Sequence, residues 1–524
     1  MKKFLLFTGG LVCSIASIAQ LPEDVLRYSY FPQHGTARNM AIGGAMGSLG
    51  GDLNALYVNP AGLSMYKTRE FVFTPGITLN NNKGIYRGSN MTANKTGFDI
   101  GTSGVVLGFN SPGSKWTNQA FSIGINQTAN FNNIVSYKGL NNQSSFSEQY
   151  VEQLSQSNLN IDDALNEPSF AYGTAPALYA YLIDIFKSSN SADSIVKGLP
   201  EFLLEKGIGL DQQKTIETSG GIYELALGYS ANMDDKFYVG GSIGIPIVNY
   251  SRSTRFRESD PSGDLHNDFN YFEFNDYLTT KGFGVNAKLG LIFKPTEFVR
   301  LGLAIHTPTL YSLTDKQSTD LTADTEDFEG VRKATSTIFT GNVPGKTLYS
   351  ATTPWKALVS GSYVFREVND TRKQRGFITA DIEYVGYGGS NFKADGETVT
   401  SEDQQYYKDL KAVIKNQYKA AFNYRLGGEL KFNTIMFRLG GAYYSNPYRQ
   451  TKEVSGEQDP IKSSIVQGSG GLGYRNHGMF IDLTYVHNFT KDVNFPYRLS
   501  DKPNTFAEQQ NTRGNVVVTV GFKL

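Results

Sequence analysis

The chain has 524 residues with 49 basic and 49 acidic side chains, so it carries no electrostatic footprint for nucleic acid. It holds 31 Tyr, 34 Phe and 55 Gly at a mean hydropathy of −0.32. No run after its start approaches the roughly 18 apolar residues of a helical span, which excludes a helical membrane protein.

The first residues read as an export signal. Lys2 and Lys3 precede an apolar stretch from Phe4 to Ile18, and Ser17-Ile18-Ala19 forms a small-x-small cleavage site before Gln20. Residues 1–19 are therefore expected to be a cleaved signal peptide. The single cysteine, Cys13, lies inside it, so the mature chain is expected to have neither a disulfide nor a thiolate metal site.

Residues 20–69 show no strand alternation and are rich in Gly and Ala, from Gly35 through Asp52 to Asn59-Pro60-Ala61-Gly62. From residue 70 onward, alternating segments of about ten residues recur. In 422–432, Phe422, Tyr424, Leu426, Leu430 and Phe432 share one face, while Asn423, Arg425, Glu429 and Lys431 share the other. A register slip would turn those charges toward the apolar side. In a bilayer each buried Arg or Lys would then cost about 2–4 kcal/mol.

Such segments number about 14, and short connections alternate with long polar ones, as outer-membrane barrels require. The predicted fold is all-β: a transmembrane antiparallel barrel over 70–524, with residues 20–69 as an N-terminal hatch inside its lumen. The longest connection, 131–218, is expected to be an extracellular loop with helical segments. Thr174-Ala175-Pro176 opens one of them, carrying Leu178, Leu182 and Phe186. Those three side chains are candidates for ligand capture; the alternative is packing as a lid on the barrel rim.

Patterns that invite an enzyme reading fail on context. Gly240-Gly241-Ser242-Ile243-Gly244 matches G-x-S-x-G but runs mid-strand, without the turn and helix of a nucleophile elbow. Gly468-Ser469-Gly470-Gly471-Leu472-Gly473 matches G-x-G-x-x-G, yet another strand follows it. The five histidines show no metal-ligand spacing, and no cofactor is implied.

The Gly/Ala-rich stretch through Asp52 to Asn59-Pro60-Ala61-Gly62 resembles that of the outer-membrane long-chain fatty-acid and aromatic-hydrocarbon transporters. So do Gly290-Leu291-Ile292-Phe293-Lys294-Pro295-Thr296, the segment from Leu301 to Pro308, and the strand count; the wording of 35–52 is similar to the version in Bacteroidetes-type bacteria. The resemblance implies a 14-stranded barrel, a hatch bearing the Asn-Pro-Ala motif, and passive diffusion of apolar ligands. It also implies lateral exit at a strand kink, which no motif locates. The implied partners are a hydrophobic small molecule and outer-membrane lipid. For a ligand with a carboxylate, inward-facing Arg425, Arg438 and Lys288 are the candidate cations, the alternative being an ion-pair network with Glu383, Glu429, Asp381 and Glu224. The competing function is a protein-interaction barrel acting as a type IX secretion shuttle, its protein partner unknown.

Overall fold

A computed structural model describes residues 22–111, 113–187, 194–365, 375–396, 399–449 and 463–523. The expected signal peptide, Cys13 included, lies outside them, as does Pro112 of the short connection Ser111-Pro112-Gly113 that the sequence places between two strands.

Fourteen antiparallel wall strands close on themselves. They are β1 (Arg69–Phe73 and Pro75–Tyr86), β2 (Ser89–Ile100 and Ser103–Asn110), β3 (Trp116–Asn130 and Asn133–Asn141), β4 (Leu210–Met233) and β5 (Phe237–Ser259). β6 (Tyr271–Phe293), β7 (Val299–His306 and Leu310–Asp324), β8 (Gly345–Thr352 and Lys356–Phe365) and β9 (Gly376–Gly386 and Asn391–Ala394) follow. The last are β10 (Ala420–Phe432), β11 (Ile435–Tyr444), β12 (Ile465–Asn476), β13 (Met479–Asn494) and β14 (Ala507–Lys523). β14 pairs with β1, Phe522 opposite Phe71 and Val517 opposite Gly76, so the sheet has no free lateral edge at its closure.

Alternation decides which way each side chain points. On β10, Phe422, Tyr424, Leu426, Leu430 and Phe432 are exposed, while Asn423 and Arg425 are buried inside. Tyr223, Leu225, Leu227 and Tyr229 likewise face out on β4, with Glu224 turned in. The exposed aliphatic and aromatic side chains form a continuous outer belt, the surface a barrel presents to lipid. Among the described residues no helix is long and apolar enough to cross a membrane; the strands do so.

Several strands run far beyond that belt. The outward face of β5 is apolar up to Ile247 and then becomes Asn249, Ser251, Ser253 and Arg255. β3 and β4 extend likewise, so the expected 131–218 loop shrinks to 142–209. β1 and β2 meet in a two-residue turn at Arg87-Gly88, both at positive φ, where a long loop was expected. Outside the bilayer both faces of a ribbon meet water or polar loops, so the apolar alternation that marks a membrane strand is absent.

The 142–209 connection folds into helices Glu148–Ser157, Ile161–Asn166, Thr174–Tyr179 and Leu199–Glu205, with a hairpin of Ile183–Lys187 and Ser194–Gly198. The helix predicted to open at Thr174 therefore ends at Tyr179, short of Leu182, and Phe186 stands on the hairpin. A further helix, Ser401–Gln417, was not predicted. Its N-terminus is a capping box, in which Asp403 N donates to Thr400 Oγ1 (3.1 Å) and Thr400 N to Asp403 Oδ2 (2.9 Å). Tyr407, Leu410 and Ile414 are its buried face.

Candidate functional site

Residues 22–68 run inside the lumen. Irregular backbone at membrane depth needs partners for its polar groups, and the wall supplies them from side chains. Ala37 N donates to Thr519 Oγ1 (2.8 Å), and Met46 N and Gly47 N both donate to Asp381 Oδ2 (3.1 Å). Arg300 Nη1 donates to Leu49 O (2.8 Å), Ser242 Oγ to Leu56 O (2.9 Å) and Thr484 Oγ1 to Ala37 O (2.6 Å). His306 Nε2 lies 2.8 Å from Val58 O.

Asn59 joins the segment to the wall. Its Nδ2 donates to Gly47 O (2.6 Å) and to the wall carbonyls of Leu291 (3.2 Å) and Leu303 (3.4 Å). Its Oδ1 accepts from Ala61 N (3.2 Å), capping the 3₁₀ turn Pro60–Met65. The close approach depends on wall glycines. A Cβ at Gly290 would overlap Asn59 Oδ1, and one at Gly240 would stand 2.6 Å from the Pro60 carbonyl. The G-x-S-x-G pattern thus makes room for the segment, and its Ser242 serves a backbone carbonyl.

The three predicted ligand-facing cations sit at the level of this segment, each in a buried ion pair. Arg425 Nη2 lies 2.9 Å from Glu383 Oε1, and Lys288 pairs with Glu224. Arg438 bridges Glu429 (2.6 Å) and Asp482 (2.5 Å). None borders the large cavity described next. Nor do the candidate capture residues: Leu178 and Leu182 are buried in the core of the loop domain and Phe186 packs against it.

Above the segment lies a vestibule of about 2480 Å³. Pro22 to His34 form part of its floor and side, with Arg27 over the Tyr250 ring at 4.0 Å. Its wall includes Arg513, which sequence reasoning passed over. Residues Val516, Val518 and Val520 face out, so parity alone turns Arg513 inward; it stood at the very edge of the predicted last strand.

Beside Arg513 the wall has a seam. The lower part of β2 pairs with both β1 and β3. Among the described residues its upper part, Ser89–Ile100, pairs with β1 alone. β3 is irregular at Gln127–Ala129 and breaks at Phe131-Asn132, after which Asn133–Asn141 follows β4 and passes inside the β1–β2 hairpin. Asn82 Nδ2 reaches Asn133 Oδ1 (2.7 Å), and the Tyr86 and Tyr137 rings lie 5.4 Å apart. Side chains bridge what the ladder leaves open: Lys95 Nζ donates to Thr218 O (2.8 Å), and Ile100 N donates to Gln127 Oε1 (3.1 Å). Arg513 holds the break itself, donating to Asn130 O (3.1 Å) and Asn132 O (2.9 Å). The seam begins level with Phe98, which is 60% exposed and near the upper end of the apolar belt.

The loop domain covers one side of the vestibule and is held by a buried carboxylate. Glu258, above the belt on β5, accepts from Ser145 Oγ (2.5 Å), Phe146 N (3.2 Å) and Gln212 Nε2 (2.5 Å). Phe146 stacks on Phe256 with centroids 4.4 Å apart. Burial pushes the Glu258 carboxyl up to about 7, above the ordinary glutamate value of 4.5, and Glu148 adds to the rise. A raised folded-state value means the packed loop favours the proton. Its stability is fully present below pH 4.5 and is lost as pH climbs through 7. Limited proteolysis of 142–209 is expected to run several-fold faster at pH 8 than at pH 5.5, and Glu258→Gln should flatten that difference. Equal cleavage rates in the wild type at both pH values would refute the coupling.

The fold and the lumen together define a class: a transmembrane barrel of the outer-membrane type, with its own N-terminal segment inside. Comparison with protein-family models and with curated protein sequences finds no match. Comparison with solved structures does. A FadL homologue from Pseudomonas aeruginosa is 15% identical, over 93% of this chain and 98% of its own, at a TM-score of 0.52. The toluene transporter TodX of Pseudomonas putida is 13% identical over 94% of this chain and 99% of its own, at 0.49. The toluene transporter TbuX of Ralstonia pickettii is 15% identical, over 94% and 99%, at 0.44. The first of these likenesses shows that the chain has the FadL-type fold.

Proposed function

We propose that the protein is a passive outer-membrane channel for hydrophobic small molecules such as long-chain fatty acids, exported by cleavage of residues 1–19. The observation that carries this reading is the pairing of a large vestibule with a seam in the wall beside it. Ligand is captured from the extracellular side and held in the vestibule. Residues 22–68 act as the hatch and close the periplasmic side, with Asn59, Pro60, Ala61 and Gly62 as its anchor. Release runs past the hatch or sideways through the seam between upper β2 and β3. Arg425, Arg438 and Lys288 are held by acidic partners and Arg513 by Asn80 and two backbone carbonyls, so none of these cations is assigned to the cargo.

The lipopolysaccharide leaflet of a Gram-negative cell resists apolar solutes, so the test belongs in cells. Cells lacking their own fatty-acid channel and expressing this chain should take up labelled oleate at least ten-fold faster than empty-vector cells. Uptake equal to the control would overturn the reading. One observation favours the second reading, a protein-interaction barrel. Tyr179 (48% exposed), Ile195 (45%) and Ile338 (47%) stand on the loops, far from the lipid belt. Capture of one defined secreted protein, lost in Tyr179→Ser/Ile338→Ser, together with control-level oleate uptake, would select it.

A further inference from the structure

The vestibule wall has two chemically distinct sides. Across β12, β13, β14 and β1 one row of inward side chains runs along the ladder: Gln467 opposite Asn488, Asn488 opposite Arg513, Arg513 opposite Asn80. Asn511 and Asn82 form the row above. In a ring of fourteen, β6 lies seven strands from β13 and therefore faces it. There, on β5 and β6, Tyr250, Phe256 and Phe274 line the cavity around the Arg252–Asp276 ion pair and Thr254, joined by Phe146 and Tyr150 of the loop domain.

The amide side has hydrogen-bonding capacity to spare. Gln467 is 4% exposed, and among the described residues neither its amide oxygen nor its nitrogen has a partner. The same holds for Oδ1 of Asn488 (7% exposed), Oδ1 of Asn511 and Nε2 of Gln127. Arg513, in contrast, already donates to Asn80 Oδ1 and to two backbone carbonyls. Acidic and basic side chains balance along the lining, six of each, so charge selects neither sign. The free groups are neutral amides, which offer a donor and an acceptor side by side. A hydroxyl, itself donor and acceptor, is their complement. Amides on neighbouring strands stand about 4.8 Å apart, within reach of several hydroxyls on one sugar ring.

We propose that the vestibule binds the uncharged, hydroxyl-rich head of a glycoside. Its hydroxyls meet Gln467, Asn488 and Asn511, and its apolar part lies against the aromatic side. This rests on the channel reading above and names the polar half of the cargo.

The test is equilibrium dialysis on the full chain in lipid nanodiscs, against 4-nitrophenyl β-glucoside, 4-nitrotoluene and 4-nitrobenzoate. The glucoside should bind saturably above empty nanodiscs, and Gln467→Leu and Asn488→Leu should each weaken it at least ten-fold. Binding of 4-nitrotoluene should stay within two-fold. Heat-resistant migration on gels reports whether each variant is folded, and either variant alone suffices. Three results would overturn the proposal: no glucoside binding by the wild type, binding indifferent to the folded variants, or 4-nitrobenzoate bound more tightly than the glucoside. Binding is read separately from oleate uptake. A lost glucoside site with normal uptake removes only the head-group assignment, whereas failed uptake with intact binding removes only the channel.

Discussion

Gly290→Val should open the barrel without unfolding it, raising single-channel conductance in planar bilayers at least ten-fold over wild type. The added side chain would occupy the place of the Asn59 carboxamide oxygen, with its Cβ also 3.2 Å from Ala61 N, so the carboxamide must leave its position. Valine suits a strand, so the wall itself loses little. The N-terminal segment loses the bonds Asn59 makes to Gly47, Leu291 and Ala61, each net worth roughly 1 kcal/mol, with further cost for the groups left buried and unpaired. A loss of about 3 kcal/mol is enough to free a plug but not to unfold a barrel of fourteen ladders. Asn59→Ala should give the same effect more weakly. Gly361→Val is the control, because nothing lies within 4 Å of the Cβ it would add. Wild-type conductance in a folded Gly290→Val variant would refute the anchoring role of Asn59.

The membrane part of this architecture was legible because lipid enforces it. Wherever the outer face meets hydrocarbon, every second residue must be apolar, and β10 and β11 show the pattern without a break. The extramembrane ribbons were not legible for the converse reason: nothing there penalises a polar residue on either face, as in the outward Asn90, Thr92, Asn94 and Thr96 of β2. The helix Ser401–Gln417 does leave a signal, in Thr400 with Asp403 and in the spacing of Tyr407, Leu410 and Ile414.

The site was legible only in part. Inward parity turns Arg425, Arg438 and Lys288 away from lipid, yet parity says nothing about height or about partners. Their acidic partners sit at differing registers: Arg438 lies directly opposite Glu429, Arg425 lies opposite Asp381 but pairs with Glu383 two residues along, and Lys288 reaches Glu224 across an intervening strand. A register can be guessed only once strand ends are known. The seam is hidden for a different reason. It depends on a ladder that is absent between Ser89–Ile100 and Asn133–Asn141, each of which is paired on its other side, and neither segment carries the apolar alternation that would mark it in the sequence. Only the polar run Asn130, Asn132 and Asn133 around Phe131 hints at the break.

Arg438→Met should be the most damaging single change in the wall. Arg438 is among the largest fully buried side chains, held between Glu429 and Asp482, with Arg38 of the N-terminal segment 3.7 Å from the same Glu429. Methionine fills much of the volume but takes from Asp482 its ion-pair partner and leaves Glu429 with Arg38 at 3.7 Å and the field of Arg475. Breaking a buried ion pair by removing one partner costs about 3–5 kcal/mol, whereas replacing all members with neutral groups is often close to neutral. The variant should therefore unfold at a markedly lower urea concentration in detergent micelles, with heat-resistant migration on gels lost. Adding Glu429→Gln and Asp482→Asn to Arg438→Met should recover most of the midpoint. If the triple variant were as unstable as the single one, the loss would stem from packing around Arg438 and not from uncompensated charge.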